Sequence, residues 1–260
     1  MINLKKDIIR LLIFIIFFGI NFFLPINSYG SITIGSIAEK QQNFQHYYFL
    51  GNYYLKNKDI KKAIFYYNDS YILAKKFKNK QFKLLSLKSL FWIYFKEKKI
   101  NKEFYYCKAI IKNSSNNKLQ LADRFYYMQA GFIYGNYFHN YNKSIFYYKK
   151  AVLLYKSVHN FYVIGRIYYF LGEDYLNLKD FYYARKYTLK SIHINSRQNS
   201  HALITGFGFE SLGLTYLYNN NKYFCILYYK KAYKIFKKDK FYSGMKEIKS
   251  LLIRLNKLKS

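Results

Sequence analysis

The chain has 260 residues and a formal net charge of +31 at pH 7, from 44 Lys and Arg against 13 Asp and Glu. It holds 33 Tyr and 25 Phe but only one Pro and two Cys. That excludes a disulfide-stapled scaffold and leaves nothing beyond Pro25 to break a helix at proline. The length suits one or two globular domains, or one elongated array with a continuous core.

Residues 1–30 have the three parts of a secretory signal. Lys5, Lys6 and Arg10 make a basic start, Leu11 to Leu24 an apolar run of 14 residues, and Ser28 and Gly30 stand before a cut at Gly30–Ser31. A bilayer-spanning helix needs about 20 residues, so the segment reads as a cleaved signal peptide, with an uncleaved N-terminal membrane anchor as the alternative. Either places the remainder beyond the cytoplasmic membrane, periplasmic or secreted, or held at its surface. Cleavage removes Lys5, Lys6, Arg10 and Asp7 and leaves +29 of the +31. Residues 31–43 read as a leader into the first helix.

From Phe44 onward one pattern recurs. Gly51 precedes Tyr54 by three residues, and the frame returns as Phe91 with Tyr94, Gly131 with Tyr134, Gly172 with Tyr175 and Gly213 with Tyr216, so that successive tyrosines stand 40, 40, 41 and 41 apart. A fixed period of this size marks a stacked repeat array. Each unit reads as two helices, A and B, joined by a polar turn in which Asn and Asp can cap the second helix. The units are 44–79, 84–118, 124–159, 165–199 and 206–239. Their turns lie at Asn57–Asp59, Lys96–Lys99, His139–Asn142, Asn177–Asp180 and Asn219–Lys222. Residues 240–260 read as one more helix, with Phe241, Met245, Ile248, Leu252 and Leu255 on one face and Lys246, Lys249, Arg254 and Lys257 on others. A solenoid needs its last apolar face covered in this way.

The landmarks resemble the tetratricopeptide repeat family in its longer, roughly 40-residue form, as found in bacterial sensor and regulator proteins. The first unit supplies Tyr47, Leu50, Gly51, Tyr54, Ala63, Tyr67 and Ser70 at the family's conserved spacing. The third supplies Tyr127, Ala130, Gly131, Tyr134, Ser144, Tyr148 and Ala151, and the fourth and fifth match similarly through Gly172 and Gly213. Tyrosine carries little weight in so Tyr-rich a chain; glycine, with only 12 in the chain, carries the assignment. The second unit departs, with Phe91 where Gly is expected, Glu103 and Ile110 where small residues are expected, and Cys107 where an aromatic is.

The resemblance implies an all-α, right-handed superhelical solenoid of five units with a C-terminal capping helix, acting as a non-catalytic binder of a protein or peptide. It implies a concave groove lined by helix A. On this chain the ligand-facing positions hold Tyr48, Asn52, Lys88, Trp92, Phe95, Phe125, Met128, Phe132, Arg166, Tyr169, Glu173, Phe207 and Glu210. Longer helices burying some of these residues is the alternative. The family's Lys/Asn carboxylate clamp is not reproduced, since Tyr48 stands where Lys is expected beside Asn52.

Nothing else in the sequence points to catalysis, a cofactor or a metal. Cys107 and Cys225 fall on core positions three units apart, and His46, His139, His159, His193 and His201 show no metal spacing. The charge suggests a polyanionic partner, either an anionic membrane surface or nucleic acid, and export argues against nucleic acid. The joint abundance of Lys, Asn, Ile, Tyr and Phe is equally what very A/T-rich DNA encodes, and the lysines read as scattered over every repeat. A further alternative is the sensory portion, or a remnant, of a bacterial envelope regulator.

Overall fold

The computed structural model describes residues 38–114, 123–197 and 202–257; the expected signal at 1–30 lies outside them. Within the described residues the order is α1 (Ala38–Lys56), α2 (Ile60–Lys76), α3 (Lys80–Lys96), α4 (Ile100–Asn113), α5 (Arg124–Asn136), α6 (Tyr141–Lys156), α7 (Phe161–Asn177), α8 (Phe181–Ser196), α9 (Ala202–Tyr218), α10 (Lys222–Lys238) and α11 (Tyr242–Lys257). The odd-numbered helices α1 to α9 are the A helices, and α2 to α10 the B helices.

One turn design joins the helices. A residue in left-handed backbone precedes the cap of the next helix at Lys58, Lys78, Lys98, His139, His159, Lys179, Asn220 and Lys240. The cap residue's amide then reaches back five residues to a helical carbonyl, as Asp59 N donates to Tyr54 O at 2.9 Å and Asp180 N to Tyr175 O at 2.9 Å; at Asn140, in the turn with one extra residue, it reaches back six, to Tyr134 O. This is the Schellman closure of a helix C-terminus. The side chains of Asp59, Asn79, Asn140, Asn160, Asp180 and Asn221 accept the backbone N–H three residues on, and so cap the following helix. Lys99 stands in that place before α4 and makes no such bond.

Four of the five A helices start earlier than the sequence pattern suggested; α5 begins at Arg124, as expected. α1 begins at Ala38, inside the segment read as leader, and α3, α7 and α9 begin at Lys80, Phe161 and Ala202, each about a turn ahead of the expected unit boundary. Asn79 and Asn160 explain two of these starts, since they cap Phe82 N and Val163 N. The extra residues of the long period therefore lengthen helix A at its N-terminus.

Within a unit, A and B meet where a glycine faces a large side chain. A Cβ added at Gly51, Gly131 or Gly213 would lie 2.6, 2.8 or 2.6 Å from Cδ1 of Tyr67, Tyr148 or Tyr229, and one at Gly172 would strike Thr188. The three tyrosines are buried, so each ring lies flat on a bare stretch of helix A. Ala63, Ser70, Ser144, Ala151, Ala184, Ser191, Cys225 and Ala232 are wholly buried small residues on the B helices, which keeps the helix pair close.

Between units, B packs on the next A throughout, and α1 also touches α3, α5 touches α7 and α7 touches α9. A helices thus form the inner layer and B helices the outer one. Helix α7 shows the consequence, with every residue from Val163 to Leu176 buried. At the far end α11 lies on α10, inserting Ile248 and Leu255 into the core cluster that contains Phe236 and leaving Lys246, Lys249 and Arg254 exposed. Among the described residues no helix is long and apolar enough to cross a membrane.

Candidate peptide-binding face

The thirteen residues expected to face a ligand divide into two sets. Tyr48, Met128, Phe132, Arg166, Tyr169, Glu173 and Phe207 are buried, none more than 8% exposed, and this corrects the expectation that they offer themselves to solvent. The lengthened α3 accounts for Tyr48, the residues around the last turn for Phe207, and the neighbouring A helix for Phe132. Phe82, on the added turn of α3, meets Tyr48 edge-on at 5.7 Å, and Phe207 lies 5.2 and 5.5 Å from the rings of Phe236 and Phe241. Phe132 meets Phe170 of the next A helix edge-on at 5.8 Å.

Asn52, Lys88, Trp92, Phe95, Phe125 and Glu210 remain partly exposed. Asn52 is tied within its own unit, its Oδ1 accepting the Tyr67 hydroxyl at 2.7 Å. Lys88, Trp92, Phe95 and Phe125 come together where α3 meets α5. The Trp92 ring stacks on Phe125 with centroids 5.2 Å apart and planes 24° from parallel, and meets Phe95 edge-on at 5.3 Å. Beneath them Phe91 meets Tyr126 edge-on at 4.8 Å. Lys88 is not a loose cation: its Nζ lies 2.6 Å from Oδ1 of the fully buried Asp123 and 5.8 Å from the Tyr126 ring centroid. The pair fixes the chain as it enters α5, and the aromatics above it form a ledge on the inner layer.

The sequence reading missed how charge divides between the layers. The five B helices carry 20 Lys and Arg against 2 Asp and Glu, while the five A helices carry 8 against 4. The basic residues are spread over every repeat, as the sequence suggested, but in four of the five they are concentrated on the outer helix; the second repeat, with four Lys on α3 and three on α4, is the exception. Counting charge by half-repeat would have found this, because the A and B boundaries were already legible.

The remaining chemistry is quiet. Cys107 and Cys225 are free and buried; burial pushes the Cys225 thiol up to about 11 and the Cys107 thiol well above its ordinary value, which withholds the thiolate. The Cys107 thiol donates to the Tyr126 carbonyl at 3.1 Å. Burial also raises the Glu103 carboxyl to about 7, against a hydrogen bond from Gln129 that pulls it down. Asp174 is buried against α6, with Ser144 Oγ 2.6 Å from its Oδ2. Among the described residues no three His, Cys, Asp or Glu gather as metal ligands.

No protein-family model matches the chain, and no curated protein matches it by sequence. Solved structures share its fold. BtubC from P. vanneervenii is similar at 14% identity and a TM-score of 0.58, over 77% of this chain and 89% of that one. RapI in its apo form is similar at 17% and 0.60, over 80% and 75%. A Signal Transduction ATPase with Numerous Domains from Pyrococcus horikoshii, which has a tetratricopeptide repeat sensor, is similar at 16% and 0.63, over 85% of this chain and 34% of that one. The chain thus spans about a third of that last protein. At these identities the likeness is one of fold, and that fold is a tetratricopeptide-type helical solenoid.

Proposed function

We propose that the chain is an exported scaffold that binds a protein segment on the inner face at the α3–α5 junction, through the ledge of Trp92, Phe95 and Phe125. The carrying observation is the stack of Trp92 on Phe125, partly exposed in a ligand-facing row whose other aromatics, Tyr48, Phe132, Tyr169 and Phe207, are buried. Aromatic ledges beside well-packed surroundings are where binding energy concentrates in protein interfaces. An amphipathic helix or an extended segment with an apolar anchor suits such a ledge. The fold, a protein-binding scaffold in many settings, supports the reading. Export rests on residues 1–30.

Affinity capture from envelope extract with the full chain and with Trp92→Ala tests it. The expected result is a protein retained by the first in high salt and lost by the second. Capture indifferent to Trp92 would contradict it. N-terminal sequencing of the exported form should begin at Ser31, and retention of Met1 would contradict cleavage.

A further inference from the structure

We propose that the outer layer of B helices docks on an anionic lipid bilayer surface. Two independent regularities carry this. The first is a ridge. Six residues after the cap residue stand Phe65 in α2, Tyr105 in α4 and Phe146 in α6, at 59, 62 and 54% exposure; thirteen after it stand Ile72 and Leu153, at 58 and 62%. Their common register puts them on the same outward face of successive B helices, which leaves five large apolar side chains in water.

The second regularity is charge. The 20 basic residues of the B helices are 19 Lys and one Arg, Arg185. Lys102, Lys149 and Lys150 border the ridge, and Lys186 and Lys190 extend the surface where the ridge ends in α8; all are exposed. Of the two acidic residues on these helices, Glu103 is buried, leaving Asp69 as the outer counter-charge. Lysines around protruding apolar tips are what an interfacial membrane contact requires: the charges are drawn by the lipid field while the tips enter the headgroup boundary.

The same surface fits nucleic acid less well. Ile72 and Leu153 have no face on which a base can stack, and a layer with one Arg lacks the planar forks that grip phosphates. The proposal concerns the opposite side of the solenoid from the Trp92 ledge, so it stands whether or not that ledge binds a peptide, and the two contacts do not compete.

The test uses the full chain with phosphatidylcholine vesicles, plain or containing about one third phosphatidylglycerol. A fluorophore sensitive to polarity is placed at Phe146→Cys or at Trp92→Cys; the native cysteines are wholly buried and do not compete for it. Binding should occur on the anionic vesicles, with a blue shift from position 146 and none from position 92. It should weaken steeply between about 50 mM and about 500 mM salt. Lys149→Glu with Lys150→Glu should lower affinity by roughly thirtyfold or more, and Phe65→Ser with Leu153→Ser by about tenfold, with the helical circular dichroism unchanged. Equal binding to plain vesicles, as the apolar run Leu11–Leu24 alone would give, would overturn the proposal. So would a shift at neither position, or tighter binding to a single-stranded oligonucleotide than to the anionic vesicles at equal phosphate.

Discussion

Phe91 and Cys107 stand at the positions that Gly131 and Tyr148 take one unit later, with the large and the small residue exchanged between the two helices. Both are wholly buried and belong to one core cluster. The second unit is therefore a complementary solution to the same packing problem.

That relationship predicts coupling. Phe91→Gly alone should cost about 3–5 kcal/mol, because it empties a filled site. Cys107→Tyr alone should also destabilise, since the ring has nowhere to lie. The double variant, which restores the pattern of the other units, should lose less than the sum of the two by more than about 1 kcal/mol. Urea unfolding of the four proteins measures this, and additivity would show that the two positions do not share one space.

Glycine in mid-helix ordinarily gains about 1 kcal/mol when replaced by alanine. At Gly131 the sign should reverse, because the new Cβ would lie 2.8 Å from the buried Tyr148 ring. A loss of about 1–3 kcal/mol is expected, measured by the same denaturation.

Glu103 gives the fold a pH dependence. Its carboxyl titrates near 7 in the folded chain against an ordinary value of 4.5, so between those values the folded chain holds a proton that the unfolded chain has released. Its contribution is full below the unfolded value and is lost as pH rises through the folded one. Glu103→Gln keeps the hydrogen-bond acceptor for Gln129 and removes the charge. It should flatten the decline between about pH 4.5 and 7 and stabilise the chain above pH 7 by about 2 kcal/mol. Thermal unfolding across that range tests it, and parallel curves for the two proteins would refute the assignment.

The turns hold two correctable costs. Lys179 sits at φ 61°, where a side chain costs about 1 kcal/mol and glycine costs little, so Lys179→Gly should stabilise by about 0.5 kcal/mol or more. Lys99 leaves α4 without the side-chain cap that most other turns have, so Lys99→Asp should add about 1 kcal/mol. Calorimetry checks both.

The repeat array was legible because rare residues sit at fixed spacing, and the spacing of Gly51, Gly131 and Gly213 follows directly from rings that must lie on bare helix, that of Gly172 from the close approach of Thr188. The turn caps were legible for the same reason, since Asp59 and Asp180 do a local job. The ligand-facing row was only partly legible. Whether Tyr48 meets solvent depends on how far the next A helix extends, and whether Phe207 does depends on how Phe241 folds back before the last helix; no residue near either one encodes that. Phe91 looked like decay because each position was compared with its own column; read across the helix pair, Phe91 and Cys107 compensate. The outer ridge of Phe65, Tyr105 and Phe146 was present in the numbering, but it became visible only when the outer layer was known.

The central claim is that protein binding belongs to the inner ledge at Trp92. A photoreactive amino acid introduced at Trp92 and, separately, at Phe65, followed by illumination in living cells, tests it most directly. A discrete protein adduct is expected from position 92 and none from position 65. No adduct from position 92, or the same adduct from both, would contradict it.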